Sequence, residues 1–427
     1  MRRPLRHYLF AVVPVIVLGA VATGVLAWLE AGGRMSTERP DDAATHAPVR
    51  VVTKKWTPRG AWWVIGRQGG LVESAVPVRK RPGTFRLMIA GESFAQGSPY
   101  VHHLQETPGH GGIGDWMRAE LAARFPSREF ELVNIGAAGG LSNVVRDVVR
   151  GALVVEPDLL VIGMGNNEGY VSRVPISDAL HEWVVYRAMK RGLLPSPRPD
   201  ARPYFTPQDA DTQAVVRGFR ENVIAILDAA RDADVPVVWM TLPIHYHYRG
   251  IDPGQGDRAY VFPEDDPDFI EGAKAAARGD CALAARIYAR SPHQAYAAKL
   301  TGQCLENIGE FSAALDYYRV YVENLPMNRT RPSFNAFVRE TMRARGVPLA
   351  DLEAAAEAMS PTGITPPSLF RDSCHLTWKG YYAMAQVILR TTLDADIVTG
   401  APGEPREAPT RDELIAHMGW QDLYSLP

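Results

Sequence analysis

Three cysteines in 427 residues exclude a disulfide-dense scaffold, and no C-x-x-C pair is present to suggest a zinc module or a thioredoxin-like site. An excess of one charge is missing too. The 46 Lys and Arg residues stand against 48 Asp and Glu, a net of −2, without the basic footprint of a nucleic-acid binder. Long hydrophobic runs are also scarce, with one exception at the N-terminus. What remains is ordinary for a folded chain: 46% apolar residues, with 37 Gly and 33 Pro to punctuate it. At roughly 100–200 residues per domain, that length implies two or three units.

The exception is Tyr8 to Trp28 (YLFAVVPVIVLGAVATGVLAW), which carries no formal charge. As a helix it would reach roughly 31 Å, about one bilayer hydrocarbon core. Arg2, Arg3 and Arg6 precede it, and acidic residues outnumber basic ones just after it. The positive-inside rule then keeps the N-terminus cytoplasmic and exports the rest. A cleaved signal peptide is the rival reading, but its apolar region is shorter and ends in small residues, whereas this run ends in Ala-Trp-Leu-Glu. The expectation is a single-pass inner-membrane anchor with an exported, periplasmic catalytic part.

Residues 30–80 read as a polar stalk and lead-in. The pattern then becomes α/β. Phe85–Ala90, Glu131–Ile135, Leu159–Gly163 and Val235–Leu242 are short apolar runs of the kind buried on both faces of a parallel sheet. Helical patterns at Ile113–Arg124, Asn143–Val155 and Val215–Ala233 separate them, so the expected fold is a three-layer doubly wound parallel sheet. Residues 193–208 hold five prolines and predict an irregular loop.

Residues 266–328 break this alternation with Ala- and Tyr-rich helices. Gly272, Gly279, Ala284 and Tyr288 recur 30 residues later as Gly302, Gly309, Ala314 and Tyr318. Small residues let antiparallel helices close up, with Phe311 and Tyr318 filling the gap. The second copy resembles a tetratricopeptide repeat; an ordinary helical hairpin is the alternative. Cys281 and Cys304 fall here as packing residues, and sequence leaves open whether they are bridged. The expected organisation is tail and anchor (1–29), stalk (30–80), catalytic domain in two parts (81–265 and 329–400), helical insertion (266–328) and C-terminal tail (401–427).

Chemistry concentrates at strand ends. The first strand runs into Ala90-Gly91-Glu92-Ser93, and a serine there sits where open α/β sheets bind ligands. Near the other end, Asp372-Ser373-Cys374-His375 precedes a helical pattern from Trp378. A carboxylate and an imidazole three apart share one edge, which completes nucleophile, base and orienting acid. Each motif alone is weak. Two more follow the second and third strands: Asn134-Ile-Gly136-Ala-Ala-Gly139-Gly140 and Gly163-Met-Gly165-Asn166-Asn167-Glu168.

In this order the four motifs resemble the signature blocks of the SGNH (GDSL) hydrolase superfamily, over residues 85–170 and 370–392. The resemblance implies Ser93 as nucleophile, His375 as general base and Asp372 as orienting acid. It implies Gly139 and Asn167 as oxyanion donors, with Asn166 as runner-up for the amide. Glu92 and Glu168 stand where the family usually has Asp, as in a branch of bacterial exported proteins that also carry tetratricopeptide-like helices. Asn166, Glu168, His245 and His247 are candidate substrate contacts.

The His102-His103 and His245-x-His247 pairs lack acidic or Cys partners at ligand spacing, so no metal or cofactor is called for. The expected function is a membrane-anchored serine esterase or O-acyltransferase acting on an acylated glycan or lipid of the cell envelope. Residues 266–328 would stand at the rim of its site to dock an acceptor or a protein partner. An inactive scaffold that binds a partner through the helices is the alternative; nucleic acid is not a partner.

Overall fold

The computed structural model describes residues 17–29, 51–66, 69–102, 107–168, 184–193, 210–248, 266–291, 294–324 and 329–426. The first half of the apolar N-terminal run, the stalk up to residue 50, most of the proline-rich segment and His103 lie outside these residues. Residues 17–29 are helical (α1). Among the described residues, no helix is long and apolar enough to cross a membrane.

Five parallel strands form the central sheet: β4 (Thr84–Gly91), β5 (Glu129–Gly136), β6 (Leu159–Gly163), β7 (Val237–Met240) and β8 (Leu349–Ala350). Their order is β5-β4-β6-β7-β8, so the winding reverses at β4. The apolar runs behave as their composition dictates. Along β4, Phe85, Leu87 and Ile89 enter one core while Met88 and Ala90 enter the other. Leu159 and Val161 of β6 face the first core, and Leu160 and Ile162 the second. With no polar face to offer, such strands are stable only with helices on both sides.

The first core is covered by α3 (Ile113–Arg124) and α13 (Trp378–Asp394), the second by α4 (Ser142–Ala152), α6 (Ala210–Asp232) and α11 (Pro332–Arg345). The result is a three-layer α/β sandwich with a doubly wound parallel sheet. Strand β8 was not among the expected strands: it is two residues long and follows Pro348, too short to stand out as a strand.

Two expectations are corrected. The stretch expected as stalk and lead-in contains a three-stranded antiparallel sheet of β1 (Val52–Thr57), β2 (Gly60–Ile65) and β3 (Ser74–Pro77), in register from Val52↔Ile65 to Trp62↔Pro77. The aromatic and β-branched run Trp62–Ile65 suits a strand, and Ile65, Leu71 and Val76 bury against the second core. The segment expected as a C-terminal tail is a clasp. Thr410 and Glu413 form a capping box that starts α14 (Arg411–Met418), and Leu414, Ile415, Trp420 and Leu423 enter the first core. Trp420 meets Trp116 edge to face at 5.1 Å and stacks on His110 at 5.1 Å.

The insertion comprises α7 (Pro267–Ala277), α8 (Cys281–Tyr288), α9 (Gln294–Asn307) and α10 (Phe311–Asn324). Its sequence repeat has a steric origin. A β-carbon on Gly272 would lie 2.1 Å from the Tyr288 ring, and one on Gly302 would lie 3.0 Å from the Tyr318 ring. Each hairpin therefore closes around the same glycine–tyrosine contact. A disulfide joins Cys281 to Cys304, tying the first hairpin to the second. Gly272→Ala is expected to destabilise by about 1–3 kcal/mol through overpacking, and Gly302→Ala by less, because a shift of tenths of an ångström accommodates it. Thermal unfolding of the two variants checks the ranking.

Candidate active site

Strands β4, β5 and β6 end level. Gly91 pairs in register with Gly136 on one side and with Gly163 on the other. Gly91 has φ +141°, and a β-carbon there would meet the Gly163 carbonyl at 2.1 Å. Only glycine permits the chain to turn this tightly at the sheet edge. The turn delivers Ser93 to the first position of the four-residue helix α2 (Ser93–Gln96). Asn134 fixes it from the neighbouring strand, its Nδ2 donating to the Gln96 carbonyl at 2.9 Å. Gln96 in turn donates to the Gly70 and Gly136 carbonyls at 2.7 and 2.6 Å.

The far loop arrives across the first core. Phe370 and Leu376 bridge as an antiparallel pair, and Arg371 N–H donates to the His375 carbonyl at 2.8 Å. Within this narrow loop Asp372 Oδ1 accepts from Cys374 N–H at 2.9 Å and His375 N–H at 2.8 Å. Its other oxygen lies 2.6 Å from His375 Nδ1, and His375 Nε2 lies 2.8 Å from Ser93 Oγ. In the neutral imidazole, a proton on Nδ1 is donated to Asp372, which leaves Nε2 to accept from the serine hydroxyl. Two tyrosines staple the serine side to the histidine side. Tyr100 Oη accepts from Trp378 N–H at 3.0 Å, and Tyr381 Oη–H donates to the Ser98 carbonyl at 2.7 Å.

Electrostatics follow from this wiring. Burial would raise Asp372, but the bonds from the His375 ring and from two backbone N–H groups hold it below the usual carboxylate value. Burial would lower His375, but Cys374 and the bonded Asp372 carboxylate leave it well above 6.5. The two remaining blocks touch each other. Asn167 Nδ2 donates to the Gly140 carbonyl at 3.1 Å, and Gly139 takes a left-handed φ of +72° with open space where a side chain would stand.

Each of the four candidate substrate contacts has a partner within the protein. Asn166 is buried and accepts from Thr330 N–H at 2.9 Å. Glu168 is buried and accepts from Ser142 N–H at 2.5 Å. His245 Nδ1 lies 2.9 Å from the Asp372 carbonyl, and its ring stacks on Phe370 at 4.6 Å. Burial pushes His245 down to about 4, so it is neutral at pH 7. His247 Nε2 lies 2.8 Å from Glu306 of α9, which also accepts from Tyr318 at 2.6 Å. Sequence places both histidines after β7, but only the packed insertion decides what they meet.

Glu92, a departure from the resembled motif, has no task that the sequence assigns. It stands just before α2, and its carboxylate accepts from the N–H groups of Gly165, Asn166 and Asn167 at 3.0, 2.9 and 3.4 Å, holding the loop that carries Asn167. Burial, reinforced by nearby Glu168, outweighs those three donors and raises Glu92 to about 8. The native state thus keeps a proton that the unfolded chain releases above 4.5. This contribution to stability is complete below the unfolded value and is lost as pH rises through the folded one. Glu92→Gln, neutral throughout, is expected to flatten the fall in unfolding free energy between about pH 5 and 8. Urea denaturation at several pH values measures it.

No protein-family model matches the chain, and no curated sequence does. Among solved structures, it is similar to an acetyl xylan esterase, with 13% identity, TM-score 0.35, and coverage of 72% of this chain and 98% of that one. It is also similar to a GDSL-like lipase from Bacteroides thetaiotaomicron VPI-5482, with 12% identity, TM-score 0.32, and coverage of 73% and 89%. An alpha/beta hydrolase enzyme from the metagenome of Lake Arreo, Spain, gives 14% identity, TM-score 0.36, and coverage of 75% and 99%. Superpositions this loose leave function to the chain's own geometry.

Proposed function

We propose that the protein is a serine esterase of SGNH type that cleaves an O-acyl ester. The observation that carries this reading is the unbroken hydrogen-bonded line from Ser93 through His375 to Asp372, at 2.8 and 2.6 Å. His375 Nε2 takes the Ser93 proton as Oγ attacks the acyl carbonyl. The oxyanion is held by the N–H groups of Ser93 and Gly139 and by the Asn167 amide, each worth about 3–4 kcal/mol in sites of this kind. Collapse of the intermediate releases the alcohol, which leaves with the proton from His375. Water, activated by the same nitrogen, then frees the acid. Asp372 holds the imidazole in its working tautomer and stabilises the imidazolium.

The substrate class in this proposal is an acylated envelope glycan or lipid, reached from a membrane anchored by the Tyr8–Trp28 run. Transfer of the acyl group to a sugar hydroxyl would use the same residues, with the acceptor in place of water. The helical insertion supports a docking role, because its Glu306 holds His247 two residues from the His245 that touches Asp372. A fluorophosphonate probe tests the central claim: the expected result is a single adduct on Ser93, absent in His375→Ala. Folded protein that stays unlabelled, or is labelled at another serine, overturns it.

A further inference from the structure

Cys374 has no task in the proposed hydrolysis, yet it is buried between the acid and the base. Asp372, Cys374 and His375 each offer one ligand atom, and the three atoms lie within 4.8 Å of one another. Among the described residues no other trio of His, Cys, Asp and Glu meets that condition. The Cys374 thiol is the chain's free one, since Cys281 and Cys304 are bridged. Thiol, imidazole and carboxylate together form a donor set suited to zinc, borderline-soft and tetrahedral, and poorly suited to magnesium or calcium. The side chains of Asp372 and His375 are 39% and 21% exposed, so the cluster is open to solvent on one side and leaves a fourth position for water.

We infer that this cluster is a zinc-binding site whose occupation switches the serine chemistry off. Coordination exchanges the thiol proton for the metal and releases it to solvent, together with a ring proton where the imidazole starts as the imidazolium. Oδ2 is the carboxylate oxygen available, because Oδ1 already accepts two backbone N–H bonds. With zinc on Nδ1, the His375–Asp372 contact of 2.6 Å opens as the metal replaces the proton between them. If zinc takes Nδ1, the remaining ring proton sits on Nε2, which then donates toward Ser93 and no longer accepts from it. If zinc takes Nε2, the ring is withdrawn from Ser93 directly. Either way the base is lost while the fold stays intact. Zinc acts here as an inhibitor and not as a cofactor.

The loss of activity rests on the proposed hydrolysis, whereas the binding does not, so the two are measured apart. Cobalt(II) added to the full-length wild type is expected to give thiolate-to-metal charge-transfer absorption, which zinc then displaces. Ser93→Ala, with all three donors intact, is expected to bind alike, and Cys374→Ala to lose the absorption and bind zinc at least tenfold more weakly. Folded wild type without the charge-transfer band, or equal zinc affinity in Cys374→Ala, overturns the site. In the second arm, micromolar zinc is expected to cut wild-type ester hydrolysis more than tenfold, reversed by a chelator. The fold-inhibition in Cys374→Ala, relative to its own zinc-free rate, is expected to be much smaller. Binding with undiminished hydrolysis overturns the switch. A cobalt band on a protein that hydrolyses no ester in any condition overturns the proposed function and leaves the metal site standing.

Discussion

Ser93→Ala is expected to lower kcat/KM for a chromogenic acetyl ester by about 10⁴- to 10⁶-fold. The hydroxyl oxygen is the only protein atom that bonds carbon in the proposed reaction, and its removal leaves His375 Nε2 facing a methyl group. Little else changes. The backbone of α2 is held by Asn134 and Gln96, and Asp372 is held by its own loop, so the unfolding curve is expected to match the wild type. Residual turnover would come from binding and the oxyanion donors alone. Kinetics on the purified variant decide the matter: activity within tenfold of wild type sinks the triad.

The second large effect falls on stability. Arg86 lies in β4 at 0% exposure and links the central sheet to the antiparallel one. Its Nε donates to Glu131 Oε2 at 2.7 Å, one Nη to the Pro77 carbonyl of β3 at 2.7 Å, and the other to the Val155 carbonyl. Arg86→Met fills much of the space but leaves a carboxylate and two carbonyls without their donor. Breaking a buried pair in this way costs about 3–5 kcal/mol, although replacing both partners costs far less. Arg86→Met is therefore expected to lower the urea midpoint sharply, and Arg86→Met with Glu131→Leu to recover part of the loss. A coupling energy near zero in that cycle would show the pair is not acting as one unit.

What was legible in the sequence was local. FRLMIA announces a strand buried on both faces, and Asp372 and His375 sit close enough in sequence for their geometry to follow from one tight loop. The steric repeat of Gly272 and Gly302 is visible because a glycine against a tyrosine leaves a fixed spacing. Four things were not legible, and each depends on distant chain. The strand Val52–Thr57 carries two lysines and reads as polar until its partner β2 supplies the buried face. The tail from 401 has a proline-rich start, and its helix is anchored by Trp116, which lies far earlier in the chain. His245 and His247 read as candidate substrate contacts after the fourth strand, but their partners, Asp372 and Glu306, come from loops and helices far along the chain. The Cys281–Cys304 bridge likewise required knowing that two hairpins stack.

The sheet order also sets a schedule for the molecule's own synthesis. Ser93 emerges early, on the first crossover, while its base lies 282 residues further on. Between them the chain must produce β5 to β8 and the whole helical insertion, and α13 must dock on the first core before the His375 loop is pinned by Tyr100 and Tyr381. A nascent or truncated chain therefore carries an inert serine. In the proposed reaction, reactivity appears only in the finished product, so labelling of Ser93 would mark that the last third of the polypeptide has found its place.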